Sequence, residues 1–301
     1  MVATTSALPA AQLAFRALDA PLFVSKNHIA SATAVIVRKT DAEFSTTEAV
    51  TGFPASYTYN GSRADFAKLA SATSFYILVD AGSGNQITAD CIIIEGHNFT
   101  DGNLLVRVSD AAVGGGGAGL SGTILTPVAS VGTVADRQVD FLDATFTARF
   151  WEIGFTGVTS ADLTIRQVWL GTQQQMRSKA KDPSDPDDHW VSTRAESQAR
   201  SGFRQRTLWS KLRALDLNFR VISATELAAA RAVRDDTDVY TNSLWYCEDP
   251  NSDPTGSVAG GLQGRMIYGH ANGQEYRTLS IEGANRNFAI QITEAGPRLS
   301  P

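Results

Sequence analysis

Cysteine, methionine, histidine and charge are all scarce in this chain. Two cysteines, three methionines and four histidines stand among 301 residues. Two thiols in opposite halves of the chain are no disulfide framework of the kind that staples small secreted domains. Cys91 and Cys247 lie in the apolar runs CIII and LWYC and read as small buried hydrophobes; spacing alone does not decide whether they are joined. Charged residues are 19%, which does not fit a coiled coil or a long-helix protein. The net charge of −5 excludes a generally basic nucleic-acid binder. No apolar run approaches the roughly 18 residues of a membrane-spanning helix, so no membrane insertion is expected. The N-terminus lacks a basic segment followed by an apolar core, so the expectation is synthesis in a cytoplasm without a secretory leader.

Catalytic signatures are missing as well. His28, His97, His189 and His270 match no zinc-ligand spacing, and no H-E-x-x-H occurs. His97 and His270 read as turn histidines. The glycine run at 114–119, GGGGAG, lacks the lysine and hydroxyl of a phosphate loop and reads as a loop tip. The acidic stretches DPSDPDD at 182–188 and DPNSDPTG at 249–256 lack calcium-loop spacing and read as solvated linkers. No serine stands in G-x-S-x-G. Cys247 is followed by Glu248 and Asp249, which oppose the thiolate a nucleophile needs. No catalytic, cofactor-binding or metal residue is assigned, no cofactor is expected, and the chain is expected not to be an enzyme.

What is present is 43% hydrophobic residues and 25 glycines, enough for real cores joined by many turns. The length suggests about two domains. Residues 1–19 read as an arm with a short helix near Ala10 to Leu18. Strands are expected in SATAVIVRK, at Ser74–Asp80, Cys91–Glu95, Leu104–Ser109, Gly122–Ser130, Arg149–Phe155 and Leu163–Leu170. Short strands punctuated by glycine turns about every dozen residues argue for a β-sandwich over 20–172. Trp151 and Trp169 sit within strands and read as core.

Residues 173–190 are polar and broken by proline, which marks a linker. Before it stand 10 basic and 15 acidic residues; from 173 onward there are 16 of each. The block 191–301 is expected to be β-rich with one helix from Ala224 to Arg234, where Thr225 can act as cap. Thr193–Gln198, Phe203–Leu215 and Leu215–Ile222 read as strands, as do Ser243–Cys247, Arg265–Tyr268, Glu275–Glu282 and Asn287–Glu294. The basic stretch holds Arg194, Arg200, Arg204, Arg206, Lys211, Arg213 and Arg220, with Phe203 and Trp209. In a block of zero net charge it reads as charged positions on the solvent or subunit face of long strands, not as a nucleic-acid patch.

Three phrases carry a resemblance: ADCIIIEGHNFTDGNLLVRVSD at 89–110, ARFWEIGFTG at 148–157 and LTIRQVWLG at 163–171. The first block resembles the galactose-binding-like, discoidin-type β-sandwich of tailed-bacteriophage tail or baseplate proteins, with GHN at 96–98 as the sharpest motif. The second block, from SGFRQRTLWSKL through LWYCEDP and MIYGHANGQEYRTLSIEG, resembles the β-rich C-terminal part of such proteins. The resemblance implies a mainly β fold, a jelly-roll sandwich followed by a β-rich assembly domain. It implies a structural protein of the virion tail that assembles with copies of itself and with neighbouring tail proteins. The alternative is a carbohydrate-binding adhesion module that recognises a host surface glycan.

Overall fold

In the computed structural model, the described residues are 21–39, 47–60, 64–70, 72–98, 103–110, 123–125, 137–158, 162–176, 187–198, 204–221, 224–239, 243–247, 267–271, 278–282 and 285–295. The arm at 1–19, the glycine run at 114–119 and the acidic loop at 249–256 lie outside them, as do residues 182–186 of the other acidic stretch. The strands in chain order are β1 (Leu22–Val24), β2 (Ala34–Arg38), β3 (Ala67–Ala70), β4 (Ser74–Asp80), β5 (Ile87–Glu95), β6 (Asn103–Ser109), β7 (Thr123–Leu125), β8 (Arg137–Ala148), β9 (Phe150–Thr156), β10 (Asp162–Ile165), β11 (Gln167–Gly171), β12 (Gln173–Gln175), β13 (Asp187–Gln198), β14 (Arg204–Val221), β15 (Ser243–Cys247), β16 (Ile267–Ala271), β17 (Thr278–Glu282) and β18 (Asn285–Glu294). Among the described residues one α-helix, α1 (Ala224–Val239), lies between β14 and β15. The fold is mainly β.

The described residues divide into two compact units, one within 26–173 and the other within 21–25, 174–247 and 267–295. The first holds a five-stranded antiparallel sheet, β2-β4-β9-β6-β7, a three-stranded one, β11-β5-β8, and the pair β10-β3. One core joins all three: Phe75, Ile77, Trp151 and Ile153 from the first sheet, Ile92, Ile94, Val168 and Leu170 from the second, Leu69 and Leu163 from the pair. This is a β-sandwich, closed by side chains that alternate inward along each strand.

The central strands are apolar on both faces, as SFYILVD, CIIIE and FWEIGF are in sequence. On the face of the five-stranded sheet away from the core, Tyr76, Leu78, Phe150 and Glu152 are all buried. Gly154 stands beside them because a Cβ there would lie 2.6 Å from the Tyr76 ring. Glu152 is completely enclosed and keeps Arg107 within 3.3 Å, an ion pair without hydrogen-bond alignment. Charges that deep are tolerated only when paired.

The structure departs from the expected elements at informative places. The strand expected at Leu163–Leu170 is two, β10 and β11, in different sheets. The break is at Arg166, whose N–H donates to the Gly96 carbonyl while its stem occupies the space a Cβ on Gly96 would need. β8 has no counterpart in the sequence reading. Its pairing with β5 slips between Ala89 and Cys91, so a period-two pattern does not persist along it.

In the second unit eight strands form one sheet, ordered β12-β1-β15-β16-β18-β14-β13 with β17 on β18. Helix α1 lays Ala229, Ala230 and Val233 on Phe23, Leu217, Phe219, Tyr246, Phe288 and Ile290. It runs five residues past the expected end at Arg234. There Thr237 returns its hydroxyl to the Val233 carbonyl at 2.8 Å, and Asp236 accepts from the Ser25 hydroxyl at 2.7 Å. The two strands expected between Phe203 and Ile222 are the single strand β14. β13 begins at Asp187, inside the segment read as linker, directly after Pro186, which has no N–H for a ladder.

Candidate ligand-binding surface

The pair β3–β10 presents one face to the core and one outward. Ala67, Leu69, Leu163 and Ile165 are fully buried, so the alternate positions Phe66, Lys68, Asp162 and Thr164 lie on the other side. Phe66, just ahead of β3, stacks on Phe53 with ring centroids 4.8 Å apart and planes 26° from parallel; both rings are half-buried. Phe53 is delivered by a tight turn in which its N–H bonds the Val50 carbonyl and Gly52 takes φ +89°, the left-handed geometry of a type II turn. Val50 is in turn tied to the Lys68 carbonyl, so the turn is stitched to β3.

Polar groups ring the aromatic pair. Lys68 Nζ stands 5.9 Å from the Phe53 ring centroid and 2.8 Å from an Asp162 carboxylate oxygen. Lys68 faces Thr164 in register and Asp162 faces Ala70, so the ion pair runs diagonally across two strands. Asn98 donates to the Asp162 carbonyl at 2.6 Å and accepts from the Thr164 N–H at 2.9 Å. Asn60 donates to the Asp65 carboxylate at 2.9 Å beside Phe66. Aromatic surface next to fixed hydrogen-bonding groups matches the apolar CH face and the hydroxyl rim of a sugar ring.

The opposite end of the sandwich carries a different cluster, where β4 ends and β9 begins. Arg149 forks onto Asp80 at 2.8 and 3.0 Å and lies 4.5 Å from the Phe150 ring centroid. Asp80 also accepts from the Gly82 N–H at 2.8 Å. Hydrogen bonds from Arg149, opposed by some burial, hold the Asp80 carboxyl below its ordinary value. Asp110 accepts from both the Arg149 N–H and Gln86 Nε2. This network binds three loops into one rim and spends its polar groups on one another.

Residues singled out in the sequence fall mainly into structural roles. In GHN, Gly96 makes room for Arg166 and Asn98 imitates a strand partner for Thr164. His97 is buried behind them, 9% exposed. His28 is half-buried in a 3-10 turn, and burial first, Lys26 second, pull its imidazole down to about 4. His270 lies across β15–β16 from Ser243, whose hydroxyl is 3.1 Å from Nδ1. His189 sits on β13 opposite Ala214. Cys91 and Cys247 are buried and form no disulfide with each other. Trp151 is in the core; Trp169 is buried on the other face of β11. Asp90, at the slipped register of β5, accepts the Gln173 N–H at 2.8 Å, and burial raises its carboxyl above the ordinary value. Among the described residues no cluster of three or more His, Cys, Asp or Glu could hold a metal ion.

The aromatic pair escapes sequence reading. Phe53 and Phe66 are separated by turns, and only the β3 register and the Gly52 turn bring them together. The one local signal is Phe66 two positions ahead of Lys68.

No protein-family model matches the chain, and no curated protein matches it. Solved structures similar to it include chitosan-binding module 1 of a chitosanase/glucanase from Paenibacillus sp. IK-5, with 14% identity and a TM-score of 0.37 over 48% of this chain and 98% of that one. The family 32 carbohydrate-binding module of C. perfringens NanJ, solved with galactose, shows 13% identity and a TM-score of 0.34 over 46% of this chain and 98% of that one. A GH29 fucosidase of Ruminococcus gnavus shows 16% identity and a TM-score of 0.36 over 49% of this chain; the match spans 26% of the fucosidase. At this level of likeness the functional reading rests on the chain's own residues.

Proposed function

We propose that the sandwich unit is a non-catalytic glycan-binding module whose ligand lies on the Phe53–Phe66 pair. The observation that carries this is the stacked, half-buried pair with the Lys68–Asp162 ion pair and the Asn98 clamp at its side. The rings supply apolar area, and the ion pair and amides supply hydroxyl partners. Lys68 and Asp162 satisfy each other, which suits orienting a ligand better than moving a proton. The test is a glycan array with the full-length chain, followed by titration of the best ligand against Phe53→Ala and Phe66→Ala. Each substitution is expected to weaken binding at least tenfold while leaving the unfolding transition cooperative. A folded chain that binds nothing on the array, or a double variant that binds like the parent, overturns the reading.

A second reading is assembly into a phage tail. Its support is the run of phrases at 89–110, 148–157 and 163–171, together with β13, which among the described residues is the end strand of a long sheet. Such edges invite pairing with another chain. In this reading the protein occurs in purified particles at a fixed copy number; its absence from them ends that reading.

A further inference from the structure

The two members of the Lys68–Asp162 ion pair are unequally exposed. Lys68 leans over the Phe53 ring, 5.9 Å from its centroid, and its side chain is 27% exposed; that of Asp162 is 47% exposed. The anion is therefore the end of the pair that a ligand arriving from water meets more fully. Asn98 fixes the strand on which it stands, by donating to the Asp162 carbonyl and accepting from the Thr164 N–H. Asp65, the residue before Phe66, adds a second carboxylate, which accepts from Asn60 Nδ2 at 2.9 Å.

An ionised carboxylate only accepts hydrogen bonds, and an ammonium only donates them. A sugar hydroxyl does both. Lys68 Nζ and an Asp162 oxygen stand 2.8 Å apart. One hydroxyl can take a further N–H from Lys68 while its neighbour on the ring donates to Asp162, a charge-assisted bond. A sugar carboxylate has no proton to give Asp162 and brings a second negative charge against it. Lys68 does not offset this, because Asp162 already matches its charge at contact distance.

We infer that this surface takes uncharged sugars through adjacent hydroxyls, and that Asp162 is the residue that turns acidic sugars away. The inference rests on the glycan reading of the Phe53–Phe66 pair and adds to it the charge class of the ligand. The rings set how tightly a sugar is held; the exposed carboxylate sets which sugars are held.

The test uses the full-length chain with three pairs of oligosaccharides, each a neutral hexose chain and the hexuronic acid chain of the same configuration: gluco, galacto and manno. The parent is expected to bind at least one neutral member at least tenfold more tightly than its acidic counterpart. Added salt narrows that ratio by screening the repulsion, while neutral binding barely moves. Asp162→Asn is expected to narrow the ratio at least threefold at low salt by gaining the acidic member, and Lys68→Gln to widen it. A carboxylate that merely braced the strands would, once replaced, weaken both members alike. The salt series on the parent needs no substitution, so a variant that does not fold leaves the inference testable. A parent that binds acidic members as tightly as neutral ones, or a folded Asp162→Asn whose ratio stays at the parent's, overturns this inference and leaves the glycan reading standing. A parent that binds none of the six sugars overturns it too; a blank glycan array as well removes the glycan reading with it.

Discussion

Among the described residues, His28 carries the clearest pH signature. Its turn is opened by Asn27, whose side-chain oxygen accepts the Ile29 N–H at 3.2 Å and also the Leu170 N–H of β11. The imidazole is thereby lodged against the sandwich, and its pKa of about 4 lies below the unfolded value of 6.5. A depressed pKa means that the neutral form is the one the fold accepts. The contribution is full above pH 6.5 and is lost as pH falls toward 4, at a limiting slope of about 1.4 kcal/mol per pH unit. Asp90, raised by burial, acts in the opposite sense and favours the fold as it protonates. Urea midpoints of the parent and of His28→Gln are expected to diverge between pH 6.5 and 4, with the variant the flatter; parallel curves would remove His28 as the source.

Among the elements, β1 matters out of proportion to its three residues. It lies early in the chain, within the stretch the sequence assigns to the sandwich, yet it pairs with β15 from Leu22–Cys247 to Val24–Trp245. Phe23 then packs on Phe219, Tyr246 and Phe288 at centroid distances of 5.6, 5.0 and 6.4 Å. A fragment starting at residue 174 lacks this strand and leaves a phenylalanine-sized hole, a loss of about 3–5 kcal/mol. Expressed alone, residues 174–301 are expected to show no cooperative thermal transition. A sharp transition in that fragment would show β1 to be dispensable. The strand itself, LFV, is too short and too ordinary to announce a partner more than 200 positions away, whereas α1 and β4 are evident from local composition because each satisfies its own pattern.

Over the chain as a whole, composition and periodicity lead to a mainly β fold, a sandwich, buried thiols and a helix at 224, all seen in the structure. The Phe53–Phe66 surface was not legible. Its rings come from a turn and from the residue ahead of β3, and their stacking depends on the register of β3 with β10 and on Gly52.

Local chemistry dictates what each segment becomes. Apolar runs must leave water, glycines turn the chain, and alanine, glutamate and leucine at 224–230 favour a helix, all without reference to distant residues. Which segments meet is a global matter. The Phe53–Phe66 pair and the pairing of β1 with β15 come from contacts between positions apart along the chain. Their energy comes from burial and register, and no local pattern encodes it.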